Sequence, residues 1–447
     1  MLSDVIAALA TPPGRSAIAL IRVSGRGAFE VAGRVLEPFD PTEPRRVRRA
    51  RAVEPDRHEP LDDVLYVVFQ GPASYTGEHL VEVTTHGGLS APVEVLGALL
   101  AAGARLAQAG EFTRRALRNG KIDLLQAEAT GDLIDATTPA QRRAALDQLD
   151  RGLSGRIAAL RASVLELEAL VGYDIDFPEE DAGPVPRARM EAARDRLVST
   201  LRGLLATAAE GARLREGALC VIAGAPNAGK SSLFNALLGQ ERAIVTEIPG
   251  TTRDAIEAPA TCGGFPFRLV DTAGLRQSDD RLERLGIEVS RRYLDAADLV
   301  LFCAEAGRPL TRDERRFADQ VSAPLLVVRT KRDTHGGWAD PDAAPGVSAL
   351  TGEGLPALRD RLAALAFARL SGAADLGPVL TRERHRAALA RALDEVIAFG
   401  DARRAGLEAA VAATHLRAAE TALEGVIGLV TPDDVLERVF ATFCVGK

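Results

Sequence analysis

The run Gly224-Ala225-Pro226-Asn227-Ala228-Gly229-Lys230-Ser231 fits Gly-x-x-x-x-Gly-Lys-Ser and follows the apolar stretch Leu219-Cys220-Val221-Ile222-Ala223. A strand that turns through such a loop into a helix aims backbone amides and a helix N-terminus at phosphate oxygens. The spacing predicts a nucleoside triphosphate site built from Asn227, Ala228, Gly229, Lys230, Ser231 and Ser232. Lys230 would reach the β- and γ-phosphates as a catalytic cation, and the Ser231 hydroxyl would be a Mg2+ ligand. Only four lysines, Lys121, Lys230, Lys331 and Lys447, stand among 55 Lys and Arg residues, so each invites a reason why arginine would not serve. For Lys230 the reason is a compact ammonium that fits between phosphates.

Other motifs complete this chemistry. Asp271-Thr272-Ala273-Gly274 places a carboxylate within reach of the metal and a glycine amide near the γ-phosphate. Between the two motifs, Gly250-Thr251-Thr252-Arg253-Asp254 offers a second Mg2+ hydroxyl; Thr252 is favoured, with Thr251 open. Thr330-Lys331-Arg332-Asp333 suits a guanine pocket, in which Asp333 accepts from the base and the Lys331 stem packs over it. Thr330 stands where asparagine is usual, which predicts loss of a brace on the nucleotide loop. Ser348-Ala349-Leu350 could give a backbone amide to the base, and ATP is the alternative nucleotide. Leu275 occupies the place of the water-positioning glutamine of Ras, so another group is needed. Glu283, Glu288, or a monovalent cation held by Asn227 could serve.

The elements that must position these groups are legible in outline. A chain of 447 residues, 47% hydrophobic, can hold two to four domains. Residues 1–118 mix short strands, such as 17–23 and 64–69, with turns, which predicts a small α/β domain. Over 119–216 apolar residues recur at helical spacing, as in Leu153, Ile157, Leu160, Val164 and Leu167. Apolar strands at 219–223, 267–270, 299–303 and 325–328 alternate with helical stretches, which predicts an α/β nucleotide domain over 217–375. Helix returns over 376–447, so the nucleotide domain reads as an insertion in a helical one.

The net charge of −7 gives no global nucleic-acid signature, so any RNA contact needs a local basic patch. Arg45, Arg46, Arg48, Arg49 and Arg51 form one such run, either a solvated loop or an RNA contact. The four cysteines have no metal-ligand spacing, which suits a reducing compartment. With no bilayer-length apolar run and no signal segment, a soluble cytoplasmic protein is expected, without a membrane partner.

Taken together, several motifs resemble the bacterial tRNA-modification GTPases of the MnmE (TrmE) family. They are Thr11-Pro12-Pro13-Gly14-Arg15, Arg22-Val23-Ser24-Gly25, Gly71-Pro72-Ala73-Ser74-Tyr75-Thr76-Gly77-Glu78, His86-Gly87-Gly88, Gly110-Glu111-Phe112-Thr113, Asn119-Gly120-Lys121-Ile122-Asp123-Leu124, the GTPase motifs and Phe443-Cys444-Val445-Gly446-Lys447. The resemblance implies an N-terminal folate-binding and dimerisation domain, a mainly helical domain, and an inserted Ras-like P-loop GTPase domain. It implies a homodimer that works with the FAD-containing partner MnmG, in a heterotetramer or larger complex, on the wobble uridine of certain tRNAs. The one-carbon unit would come from 5-formyl-tetrahydrofolate or a related folate, with FAD on the partner.

The same resemblance places Arg22, Glu82, Lys121 and Lys447 around the folate. It gives Asn227, Thr246, Ile248 and Thr251 to K+, and Ser231 and Thr252 to Mg2+, with Thr246 also against the GTP. It makes Glu283 the catalytic group that orients water. A regulatory GTPase acting as an assembly switch, for example in ribosome maturation, is the alternative. The folate-type motifs and the terminal Phe-Cys-Val-Gly-Lys count against it.

Overall fold

The computed structural model describes residues 4–176, 186–239, 257–271, 291–335, 343–372, 377–428, 433–441 and 443–446. The chain separates into two compact units, Met1–Gly131 with Glu424–Lys447, and Asp132–Leu423.

The first unit is built on a seven-stranded sheet in the order β3-β4-β5-β6-β2-β1-β7. Its strands are β1 (Ile6–Leu9), β2 (Ile18–Ser24), β3 (Leu36–Glu37), β4 (Arg48–Val53), β5 (Pro60–Phe69), β6 (Leu80–His86) and β7 (Arg105–Leu106). Alternation along β2 sends Ala19, Ile21 and Val23 into the core beneath helix Ala91–Ala101, and turns Arg22 to the other face. Antiparallel pairing sets Arg22 directly opposite Glu82 on β6.

The arginine run is not a loop throughout: from Arg48 it is strand β4. Its charges are answered locally, Arg46 and Arg48 by Glu43, Arg48 also by Asp40, and Arg49 and Arg51 by Asp63. Three carboxylates thus offset part of the charge of these five arginines, and Arg45 donates to Ala73 O at 3.2 Å.

The second unit joins a helical body to a nucleotide sheet. Helix Gly152–Asp176 buries Leu153, Ile157, Leu160, Val164 and Leu167, the residues its spacing selected. Helix Pro139–Leu149 starts with a capping box, in which Thr138 Oγ1 accepts the Gln141 amide at 3.3 Å and Gln141 Oε1 accepts the Thr138 amide at 3.1 Å. Helices Arg187–Leu205, Ala208–Glu216, Glu383–Arg404 and Ala409–Ile427 complete the helical elements on either side of the sheet in sequence.

The sheet runs β12-β11-β8-β10-β9, with β8 (Ala218–Gly224), β9 (Glu257–Cys262), β10 (Phe265–Asp271), β11 (Leu299–Glu305) and β12 (Leu325–Thr330). All pairings are parallel except β9 with β10. Strand β8 is buried from Ala218 through Ala223, as a parallel strand covered on both faces must be. The edge strand β9 was not foreseen, because Pro259 and a mixed polar sequence hide its period. Parallel order brings the C-terminal ends of β8, β10 and β12 together at one edge, where ligands bind in such sheets.

Candidate nucleotide site and N-terminal polar cluster

The phosphate loop begins where β8 ends. Gly224 has φ +144°, and a Cβ there would lie 2.3 Å from the Cys303 carbonyl oxygen, so the loop can leave the sheet only through glycine. Asn227 and Gly229 also take positive φ, at 62° and 80°, before helix Lys230–Gly239 starts. Asn227 tolerates this geometry better than a branched residue would. The left-handed steps turn the loop around the helix N-terminus.

Lys230 is 8% exposed, and its Nζ donates to the Ala225 carbonyl at 2.7 Å, across the mouth of the loop. Ser231 Oγ donates to Asp271 Oδ2 at 2.6 Å. The hydroxyl after the lysine and the carboxylate ending β10 therefore meet, and both are hard oxygen donors of the kind Mg2+ takes. The loop motif and the carboxylate motif, 40 residues apart, converge as the sequence required.

The guanine-pocket motif differs from expectation in a useful way. The Thr330 hydroxyl donates to Ala228 O at 2.7 Å, with Ala304 O a longer contact at 3.3 Å. The brace expected to be lost with asparagine is made by a hydroxyl instead, because β12 brings Thr330 against the loop. Lys331 takes φ +57°, and its Nζ pairs with Glu305 Oε1 at 3.0 Å. The Lys331 ammonium holds the Glu305 carboxyl below its ordinary range. Asp333 sits in the short 3-10 turn Arg332–Thr334 that follows.

Sequence reasoning missed Glu305. Only the pairing register, which sets Glu305 on β11 opposite Thr330 on β12, brings it to the site. Ser348 needs correction as a base contact: it is buried and its amide donates to Glu353 O at 2.9 Å. Of the three residues, Ala349 and Leu350 are left as the expected amide donors. Thr246, Ile248, Thr251, Thr252, Gly274 and Glu283, with Leu275 and Glu288, lie outside the described residues.

A separate polar cluster occupies the first unit. Arg22 Nε donates to Glu82 Oε1 at 2.9 Å, its Nη1 donates to Gly446 O at 3.3 Å, and its guanidinium lies 5.8 Å from the centre of the Tyr75 ring. Gly446 has φ +96°, and a Cβ there would come within 2.6 Å of Leu9 O, so the tail reaches Arg22 only as glycine. Lys121 Nζ donates to Pro72 O at 2.9 Å, on the loop that also carries Tyr75. Lys447 lies outside the described residues. Cys444 is exposed, whereas Cys220, Cys262 and Cys303 are buried. Burial pushes the Cys303 thiol up to about 12.

The first unit also holds a charge network around the buried Arg115 and Glu111. Arg115, 1% exposed, donates to Asp4, Glu78 and Glu111, and Arg105 donates to Asp4 and Glu111. Burial pushes the Glu111 carboxyl up, but Arg105, the Gln108 amide and Arg115 outweigh it and hold the group at about 2. Glu111 and Arg115 are an i,i+4 pair, but Asp4 and Glu78 join them from distant parts of the chain, which no local pattern shows.

Two family models divide the chain between them. "GTP-binding protein TrmE N-terminus" matches residues 5–121, and "MnmE helical domain" matches residues 124–444. The chain belongs to the MnmE family of tRNA-modification GTPases. A relative from Moorella thermoacetica, named tRNA modification GTPase MnmE, is 40% identical over 464 residues, covering 100% of each chain. One of the same name from Thermus thermophilus is 42% identical over 454 residues, covering 100% of this chain and 99% of its own. Another from Aquifex aeolicus is 38% identical over 452 residues with full coverage of both. Among solved structures, the G domain of the T. maritima FeoB iron transporter is 26% identical, covering 33% of this chain and 98% of its own at a TM-score of 0.23.

Family membership and the converged phosphate-site residues make the chain a GTP-hydrolysing enzyme of tRNA modification. Its architecture is the family's: an N-terminal α/β unit and a mainly helical region that carries a Ras-like nucleotide fold. No described helix is long and apolar enough to cross a membrane.

Proposed function

We propose that this enzyme couples K+-dependent GTP hydrolysis to the installation of an aminomethyl or carboxymethylaminomethyl group at C5 of the wobble uridine, position 34, of certain tRNAs. The observation that carries the reading is the presence on one chain of two built sites. One is the Lys230, Ser231 and Asp271 phosphate site; the other is the Arg22, Glu82 and Gly446 cluster, which a simple nucleotide switch would not need.

At the first site, Lys230 binds the β- and γ-phosphates, and Ser231 with Thr252 would hold Mg2+, which supplies positive charge against the phosphate oxygens. The amides of the loop orient the phosphates, and Thr330 keeps the loop against β12 through Ala228 O. Asn227 with the backbone of Thr246, Ile248 and Thr251 would hold K+ in the place of an arginine finger, and Glu283 would orient the attacking water. At the second site, Arg22 and Lys121 supply cations for folate carboxylates and Glu82 an acceptor for a pterin amine; Lys447 would complete the set. The folate, as 5-formyl-tetrahydrofolate or a related compound, would supply the one-carbon unit. The working assembly would be a homodimer joined to an FAD-containing MnmG-type partner.

Mass spectrometry of wobble nucleosides in cells lacking the gene tests this directly. The modified nucleoside should disappear and should return with the intact gene but not with Lys230→Ala. Unchanged modification would leave a GTPase with some other duty, such as assembly of ribosomes. In vitro, hydrolysis should fall sharply when Na+ replaces K+, and equal rates would remove Asn227 from cation binding.

A further inference from the structure

Strand β11 is buried and apolar from Leu299 through Ala304 and ends on an acid, Glu305. Parallel pairing sets Glu305 opposite Thr330, the last residue of β12, and the Ala306 amide donates to Thr330 O at 2.9 Å. The two strand ends therefore lie side by side at the C-terminal edge of the sheet, where the phosphate loop also begins.

The Lys331 backbone is fixed on both sides. Before it, the Thr330 hydroxyl holds Ala228 O of the phosphate loop at 2.7 Å; after it, the Arg332 amide donates to Val347 O at 3.1 Å. Between them Lys331 sits in the left-handed region at φ +57°, a conformation that costs a residue with a side chain energy and has to be held by its surroundings. What the backbone does not fix is the stem, four carbons with the rotamer freedom of a lysine. Glu305 restricts it from the far end, since Lys331 Nζ donates to Glu305 Oε1 at 3.0 Å. Arg308 and His335 also lie near the carboxylate, but Arg308 turns both terminal nitrogens to Glu314, at 2.7 Å each.

Both side chains of the pair are 38% exposed, and a pair so open to water contributes little to the stability of the fold. Its place matters more. A long side chain that must order when a ligand arrives weakens binding, and one ordered beforehand does not. We propose, on the reading that Lys331 and Asp333 form the guanine pocket, that Glu305 is a positioning residue for the nucleotide: it holds the Lys331 ammonium so that the alkyl stem is already placed to cover a face of the base. Asp333, in the turn that follows, would accept from the edge of the same base. Face and edge are then served by different residues, and Glu305 acts on the face alone.

Calorimetric titration of the full chain with Mg2+ and GDP tests this, beside inosine diphosphate, which lacks the 2-amino group that Asp333 would accept from. Glu305→Ala should weaken GDP binding by about three- to tenfold, the cost of ordering one long side chain at binding. Lys331→Ala should weaken it further, and the double variant should match Lys331→Ala, because Glu305 acts through the lysine. Glu305→Gln keeps an acceptor for the ammonium and should fall between the wild type and Glu305→Ala. In Glu305→Ala both nucleotides should lose the same factor, since the edge contact is intact. Weakening in Lys331→Ala with none in Glu305→Ala refutes the role of Glu305 alone, as does a double variant in which the two losses simply add. A changed ratio of GDP to inosine diphosphate affinity in Glu305→Ala also refutes it, because a merely structural acid would displace the Asp333 turn. Unaltered GDP affinity in Lys331→Ala removes the guanine-pocket reading, and the role of Glu305 with it.

Discussion

The phosphate site and the N-terminal cluster are built in opposite ways. The first is mostly one contiguous stretch: eight residues carry the lysine, the hydroxyl and the loop, and one strand away lies Asp271. The second is a composite, with Arg22 from β2, Glu82 from β6, Tyr75 and Pro72 from a loop, and Gly446 from the tail. A contiguous site depends on backbone conformation, which its own residues fix. A composite site depends on the tertiary frame, and here the loop that brings Tyr75 to Arg22 also carries Glu78, an ion-pair partner of the buried Arg115. Damage should therefore spread differently from the two.

The largest effect on stability is expected at the charge network of the N-terminal unit. Arg115→Met leaves Glu78 without its cation and Glu111 with Arg105 alone, and should destabilise the N-terminal unit by about 3 kcal/mol, the low end for breaking a buried pair, measurable by urea unfolding. If the comparison holds, GTP affinity in that variant changes far less than folate affinity. Next, Lys230→Ala should lower the rate of GTP hydrolysis by about 10²–10³-fold, in the range for removing a charge-stabilising donor, with the thermal midpoint of the N-terminal unit unmoved. A variant that loses both activity and that midpoint would break the distinction.

If the N-terminal cluster takes the proposed folate, Arg22→Ala should weaken its binding by about tenfold or more while leaving GTP hydrolysis near its starting rate, read by equilibrium dialysis beside a phosphate-release assay. The smallest mutational effect is expected at Thr330. Thr330→Val removes the hydroxyl that holds Ala228 O, and should cost about 0.5–1.5 kcal/mol of GDP affinity; no change would return the loop to bracing by backbone alone.

Acid should also separate the two regions. The Glu111 carboxyl is held at about 2 in the folded protein, below the ordinary glutamate value of about 4.3. Its contribution is complete above that ordinary value and is lost as pH falls toward 2. The N-terminal unit should hold its stability from neutral pH to about pH 5 and lose it in the range from about 4 down to 2. Arg115→Met should shrink this loss, because part of the carboxylate's advantage is already gone.

Much of the nucleotide fold was legible because its signals are local. The apolar runs at 219–223, 299–303 and 325–328 became β8, β11 and β12, each two residues longer than read, and 267–270 became β10, three residues longer. Helix Lys230–Gly239 likewise follows its motif. What could not be read was any contact set by pairing register or by crossings between distant segments: Lys331 with Glu305, Arg22 with Gly446, and Arg115 with Asp4. Periodicity says which face a residue occupies, and only the assembled sheet says what lies opposite. The arginines of β4 make the same point, since composition shows the run of charge and only the strand pairing shows that Asp63 lies beside Arg49 and Arg51.

The hydroxyl of Thr330 bears on how such enzymes are found. A search pattern that demands asparagine at that position would discard this chain, although the bond to Ala228 O is present. A criterion written as an interaction, a donor at the end of the strand satisfying a carbonyl of the loop, would retain it. Nucleotide specificity in divergent members is then better inferred from which atoms are satisfied than from which letters are kept.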